Sequence, residues 1–360
     1  MSLTARLAAR IAREGPLDIA AFMDVCLHDP DDGYYATRPR LGADGDFITA
    51  PHVSQMFGEL IGLWAAEVWA GLGRPDRCCW IEVGPGDGTL MRDARRAAVA
   101  AAGFLDACDL WLLETSVPLA ALQAKVLGEN GVRWASHLDE TPRGRPIILI
   151  ANEWLDCLPV RQAVATPAGW RERCVGVDGG GRLAFVLGDA PSRDLPPAPP
   201  GTVVEWSEAL ERAGEALGRR LMEEGGAALL IDYGSDSPGF GDTLQALRAH
   251  RKEGPLDNPG EADLTAHVNF PSFLAAAKAA GAQVTEVSSQ GDFLWSLGLG
   301  LRAERLIASH PERRGAILSE VDRLIDPSAM GQLFKVAALW SGGPPPPGLR
   351  ASGRRSEIPR

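Results

Sequence analysis

In the stretch Trp80-Ile81-Glu82-Val83-Gly84-Pro85-Gly86-Asp87-Gly88-Thr89-Leu90, a short apolar run ends in an acid and then in three alternating glycines. Sequence rich in Ala and Arg follows, with helical character. The order is strand, tight turn, helix, which is the first βα unit of a nucleotide-binding α/β sheet. Glycine lacks a Cβ, so the backbone there can bend sharply and approach a ligand closely. The spacing also discriminates between ligands. A dinucleotide fingerprint, G-x-G-x-x-G, beginning at Gly84 and Gly86 needs a glycine where this chain has Thr89. Glu-x-Gly-x-Gly-x-Gly is instead the pattern of sites for S-adenosylmethionine (SAM), which has no phosphate to cradle. The competing reading is an ordinary Gly-rich turn in an α/β protein.

Outward from this stretch, near-continuous apolar runs recur at 109–113, 132–134 and 146–151. Strands buried on both faces read this way. They alternate with helical patterns at 89–102 and 117–127, which implies a parallel sheet with right-handed crossovers. Upstream, residues 3–28 read as two helices parted at Gly15-Pro16. A long helix over 53–72 puts Phe57, Leu60, Ile61, Trp64 and Val68 on one core-facing stripe. Downstream the alternation breaks. Short β-like runs at 160–164, 170–175, 182–187 and 202–206 read as an antiparallel insertion. A helix (207–224) then leads to a strand (227–231) that ends in Asp232-Tyr233-Gly234. Residues 235–269 read as loop-rich and polar. A helix (271–280), a strand (282–288), a helical stretch (291–325) and a last strand (333–340) complete a doubly wound α/β sheet. The expected division is an N-terminal helical extension (1–75), a cofactor-binding core (76–159 and 227–341), an inserted β-rich lobe with its helix (160–226) and a disordered tail (342–360).

The chain has 360 residues and a net charge of −11. That charge argues against nonspecific nucleic-acid binding, which needs Lys and Arg against phosphate. It leaves room for a basic partner. The cysteines at 26, 78, 79, 108, 157 and 174 form no C-x-x-C pair, so free thiols in a reducing compartment are expected. No apolar run approaches the roughly 20 residues of a membrane span. Residues 3–13 are amphipathic and carry Arg, as mitochondrial presequences do, but they run straight into further core-like sequence and read better as a first folded helix.

In open α/β sheets, ligands lie beyond the carboxyl ends of the strands. An acid after the second strand suits the two ribose hydroxyls of an adenosine cofactor, so Glu114 is the ribose candidate. Glu82, Gly84, Pro85, Gly86, Gly88 and Asn152 complete the cofactor set, with Glu82 reaching the amino group or bracing the turn. After the fourth strand comes Asn152-Glu153-Trp154-Leu155-Asp156-Cys157-Leu158-Pro159. If the chain turns helical at once, Glu153 and Asp156 share a face and can hold a cation or accept a proton. The alternative is a helix start capped by Asn152. The Asn-Pro-Pro-aromatic motif of base amino-methylation is absent. Asp263 and His267 have helical i, i+4 spacing, but no third ligand accompanies them and no metal is expected.

These stretches resemble the MidA-type family of SAM-dependent methyltransferases. The resemblance runs from Asp29 to Leu339. It is carried by Gly33-Tyr34-Tyr35, Gly45-Asp46-Phe47-Ile48-Thr49-Ala50-Pro51, Ser54-Gln55-Met56-Phe57-Gly58-Glu59, the stretch from Glu82 to Leu90, Asn152-Glu153 with Asp156, and Asp232-Tyr233-Gly234. Gly241-Asp242-Thr243-Leu244, His250 and the run from Ala262 to Val268 add to these. The sequence departs from the family pattern at His52, Trp154-Leu155 and Asn269. The resemblance implies a Rossmann-like class I fold with a seven-stranded, mostly parallel sheet. It implies SAM as cofactor and arginine on a partner protein as acceptor. For mitochondrial members that partner is a core subunit of respiratory complex I. Glu153 is then the primary clamp on the guanidinium and Asp156 the orienter or proton acceptor. Asp46, Asp242, His250, Asp263 and His267 are lesser acceptor-pocket candidates. The expected compartment is the bacterial cytoplasm, with the mitochondrial matrix as the alternative. The rival functions are a small-metabolite methyltransferase and a non-catalytic assembly factor that keeps the fold.

Overall fold

Four strands carry the apolar runs of the sequence: β1 (Cys78–Val83), β2 (Cys108–Leu113), β3 (Val132–Ala135) and β4 (Ile147–Asn152). β1 and β4 are buried at every position, as strands covered on both faces must be. The computed structural model describes residues 1–37 and 49–352, and Asp46 lies outside them. Three more strands follow in this sheet: β5 (Gly226–Ser235), β6 (Gln283–Val284) and β7 (Phe334–Ser341). Along the sheet the order is β6-β7-β5-β4-β1-β2-β3. The run from β5 to β3 is parallel, and β7 is antiparallel to both β5 and β6. Among the described residues the sheet has nine strands, because two-residue strands, among them Ser288–Ser289 against β7, add to this path. The strand order reverses between β1 and β4, so the ligand crevice of an open α/β sheet opens at their carboxyl ends.

The chain divides into two compact units, and this sheet belongs to the one formed by residues 48–154, 213–236 and 270–360. Helix α1 (Gln55–Gly71) supplies Phe57, Leu60, Ile61 and Trp64 to its core, the stripe expected from periodicity. α1 lies against α2 (Thr89–Ala98) at very close range. A Cβ on Gly62 would stand 2.2 Å from the Ala94 carbonyl oxygen, and one on Gly58 would stand 2.8 Å from Asp93 Cβ. α3 (Val117–Leu127) is capped by the Ser116 hydroxyl and ends at Gly128.

Several sequence expectations are corrected here. The stretch 291–325 is three helices, Gln290–Ser296, Leu299–Ser309 and Arg314–Ile325, broken at Gly298 (φ 91°) and at His310-Pro311. The strand expected at 282–288 is reduced to two two-residue pieces. Disorder was expected from 342 on, yet the Glu286 amide donates to the Arg350 carbonyl and Thr285 bridges Ala351. Residues 353–360 lie outside the described residues. The expectation of free thiols fails at one pair, because β1 and β2 place Cys78 opposite Cys108 and a disulfide joins them across a Cα–Cα distance of 4.6 Å. Strand register, which residue spacing does not reveal, makes that pair.

The second unit comprises residues 1–47, 155–212 and 237–269. Its larger sheet is antiparallel and contains all four β-like runs read in the insertion: Arg161–Thr166, Gly169–Val177, Leu183–Leu187 and Val203–Trp206. Leu17–Asp18 pairs on its edge. Leu3, Leu7 and Ile11 of the first helix pack with Phe22 and Met23 of the second around Val160 and Val175. Residues 235–269, expected to be loop-rich, hold a three-stranded sheet of Gln245–Arg248, Arg251–Glu253 and Asp263–Thr265. Its hairpin turns on Ala249 and His250, both at positive φ (51° and 60°), which is the type I′ geometry usually given to Asn-Gly.

Candidate active site

At the end of β1, Gly84, Gly86 and Gly88 all have positive φ (62°, 56° and 85°), a region that suits glycine. The Gly84 amide donates to the Leu113 carbonyl, which ties the turn to β2, and the Gly88 amide donates to the Pro85 carbonyl. Asp87 accepts from the amide of Thr89, the first residue of α2, at 2.9 Å. Its other oxygen lies 2.9 Å from His52 Nε2, and the far side of that ring is 2.8 Å from the Thr49 hydroxyl. The His52 bond and the Thr89 amide outweigh burial and hold the Asp87 carboxyl below its usual range.

Glu82 is 2% exposed at the mouth of this turn. Burial, reinforced by nearby Asp87, pushes its carboxyl well above the usual carboxylate range. Its Oε2 and the Asn152 Oδ1 are buried polar atoms with no hydrogen-bond partner among the described residues. Unmet buried acceptors at a strand end favour a ligand that brings donors. Glu114 follows β2. One of its oxygens accepts from the Ser116 amide at 2.7 Å and the other from the Gln123 amide at 3.0 Å, so the carboxylate is held in one orientation. Burial raises its pKa, and these two bonds pull it back. A glycine turn, a fixed acid and two unmet acceptors together fit an adenosine ligand with hydroxyl and ammonium donors.

Beyond β4 the chain does not turn helical, so neither the shared helical face of Glu153 and Asp156 nor an Asn152 helix cap is formed. Glu153 instead takes the left-handed conformation at φ 53°, which is rare for a residue with a side chain. Its amide continues the ladder by donating to the Ile231 carbonyl at 2.9 Å, and its carboxylate accepts from the Asn152 amide at 3.1 Å. Such backbone strain persists where the surroundings enforce it, and it gathers at functional sites.

The other acceptor candidates lie in the second unit. Asp156 is buried, and its carbonyl accepts from the Ala266 amide. Asp263 is buried and accepts from the Tyr35 hydroxyl at 3.0 Å, while Tyr35, facing Asp263, Cys157 and Asp156 from a desolvated position, titrates well above its usual range. Asp242 is ion-paired with Arg173 at 2.9 Å and bonded by Gln162. His267 donates its amide to the Thr243 hydroxyl, and His250 is exposed on the hairpin tip. Asp263 lies on a strand, so the i, i+4 relation to His267 has no helical meaning. Among the described residues no group of three His, Cys, Asp or Glu side chains is placed to hold a metal ion.

Sequence reasoning missed Gln123, which touches both Glu114 and the glycine turn. Its signal was a Gln four residues after Leu119, on the buried face of the helix.

Five parallel strands extended by an antiparallel pair, a glycine turn after β1 and an acid after β2 define a Rossmann-like class I methyltransferase fold. Residues 60–288 match the family described as "Putative S-adenosyl-L-methionine-dependent methyltransferase". The chain belongs to that family, and its cofactor is SAM. It is 34% identical to "Protein arginine methyltransferase NDUFAF7, mitochondrial" of Danio rerio, over 93% of this chain and 86% of that protein. The protein of the same name in Homo sapiens is also 34% identical, over 92% and 81%. A crystal structure of a Burkholderia thailandensis protein bound to S-adenosylhomocysteine superposes with a TM-score of 0.84 at 30% identity, covering 96% of this chain and 93% of that one.

Proposed function

We propose that this methyltransferase acts on arginine of a partner protein, with a core subunit of respiratory complex I as the expected partner. The observation that carries the reading is Glu153: a carboxylate just beyond β4, held in a strained conformation and oriented by the Asn152 amide. The names of the relatives, which are arginine methyltransferases, support it. On this reading the chain works where complex I is assembled, in the bacterial cytoplasm or the mitochondrial matrix.

SAM brings a sulfonium whose methyl group is ready to leave. The chain's own residues must supply the rest. A free guanidinium, with a pKa of about 12.5–13.8, is protonated and its lone pairs are delocalised. Glu153 binds it through paired N–H groups, orients its plane and draws its charge away from the attacking nitrogen. Asp156, three residues on in sequence, is assigned as orienter or proton acceptor. Asp242, His250, Asp263 and His267, with Asp46, remain candidates for contacts to the acceptor. Positioning of the nitrogen against the methyl group supplies much of the rate.

Single-turnover assays with an arginine-containing partner protein, run beside SAM titrations, test the proposal. Glu153→Gln is expected to bind SAM almost normally and to lose turnover by orders of magnitude, and Asp156→Asn to lose less. Full methyl transfer by Glu153→Gln would sink the clamp. Robust transfer to a small metabolite with no protein modified would favour a metabolite methyltransferase, and a chain that does not bind SAM at all would be a non-catalytic assembly factor.

A further inference from the structure

Gln123 is fully buried in the middle of α3. Its side-chain nitrogen donates to the Gly86 carbonyl at 2.8 Å and to Glu114 Oε2 at 3.0 Å. Its side-chain oxygen accepts from Trp134 Nε1 at 2.9 Å. Chemistry fixes the amide this way round. An indole nitrogen can only donate, while a backbone carbonyl and a carboxylate can only accept. Turned over, the amide would set its oxygen against two acceptors and its NH₂ against a donor. One buried side chain therefore joins the middle glycine of the turn after β1 to the acid after β2, and a residue of β3 holds it in place. The main chain of α3 is close as well: a Cβ on Gly88 would stand 3.5 Å from Gln123 Cα.

We infer that Gln123 is a positioning residue for the cofactor, fixing Gly86 and Glu114 relative to each other so that glycine turn and ribose acid engage SAM as one rigid surface, with Trp134 holding the amide in register. The inference rests on the reading of Glu114 as the ribose acid. A buried amide with all three bonds satisfied strongly specifies one geometry, whereas an apolar replacement would strand the Gly86 carbonyl and the indole N–H. The Gln123 amide also favours the ionised form of Glu114, since it pulls down a carboxyl that burial pushes up.

The test is calorimetry with S-adenosylhomocysteine at pH 6 and pH 8, on wild type, Gln123→Leu, Gln123→Glu and Trp134→Phe, each checked for folding by its thermal midpoint. Gln123→Leu is expected to weaken binding roughly tenfold or more at both pH values. Gln123→Glu keeps the shape but faces the Gly86 carbonyl and the Glu114 carboxylate with a second carboxylate. It is expected to bind worst at pH 8 and to recover in part at pH 6, where a protonated acid can donate again. The charged and titratable groups on the adjoining elements include Lys125 on α3, Arg95 on α2, Arg133 on β3, and Glu82, Asp87 and His52 at the glycine turn. They are common to all four proteins, so the ratio of variant to wild-type affinity isolates position 123. A purely structural glutamine would not give that pH-dependent ratio. Trp134→Phe is expected to lose affinity severalfold and serves if Gln123→Leu does not fold. Affinities within twofold of wild type for the folded variants at both pH values would overturn the inference. Wild type that binds no S-adenosylhomocysteine would overturn the cofactor reading itself, and this inference with it.

Discussion

At the scale of single residues, the glycine turn makes the sharpest demand. Gly84 has φ 62°, and a Cβ there would stand 3.2 Å from the Trp154 indole. Gly84→Val therefore adds strain, a crowded contact and a branched side chain where the backbone should meet SAM. We expect a folded protein with no measurable SAM binding by calorimetry; undiminished affinity would remove Gly84 from the site. Glu114→Gln keeps size but removes the charge that strengthens hydrogen bonds to ribose, so S-adenosylhomocysteine should bind more weakly by about 1–3 kcal/mol. Glu82 sets a pH dependence. Its folded-state pKa is raised above the ordinary carboxylate value, so between the two values the folded form holds a proton that the unfolded form has lost. Ligand-free stability should therefore fall as pH rises from the unfolded value of about 4.5 through the raised folded value. In Glu82→Gln that part of the slope should vanish in thermal melts taken across pH. The glycine turn and the acid after β2 were legible because each is contiguous sequence at a strand end. Gln123 was not, because its partners Gly86, Glu114 and Trp134 lie 37, 9 and 11 residues away.

At the scale of elements, the parallel strands and α3 were readable because burial on both faces leaves unbroken apolar runs and because Ser116 and Gly128 mark the helix ends. What escaped was structure whose cause is not local. The Ala249-His250 turn has no Asn-Gly signal, and its flanking strands are short and polar, so only pairing with Asp263–Thr265 explains them. Breaks in the 291–325 stretch were hidden because Gly298 inside a helical pattern reads as tolerable. The close packing of α1 on α2 braces the element that leads directly out of the glycine turn. Gly62→Ala must push the Ala94 backbone away, and overpacking of this kind costs about 1–3 kcal/mol. Chemical denaturation should show that loss. An unchanged midpoint would mean that the two helices can separate without cost.

At the scale of the whole molecule, fold and site are set by different parts of the same strands. The disulfide joins Cys78 to Cys108 at the first residues of β1 and β2, whereas the glycine turn and Glu114 follow the last residues of those strands. Six residues of strand span about 17–20 Å. A cross-link with a sequence separation of 30 residues restricts the unfolded chain, which the loop-entropy relation puts at about 3–4 kcal/mol. Free thiols in its place would still sit in a paired strand register, so the sheet would keep its geometry and lose only that restriction. Reduction, or Cys78→Ala with Cys108→Ala, should therefore lower the unfolding midpoint while leaving affinity for S-adenosylhomocysteine within about twofold. The relevant measurements are thermal melts and calorimetry on oxidised and reduced protein, with thiol counting to verify each state. A large loss of affinity at unchanged midpoint would reverse the argument, because the bond would then be shaping the cofactor site through the length of two strands rather than stabilising the sheet that carries it.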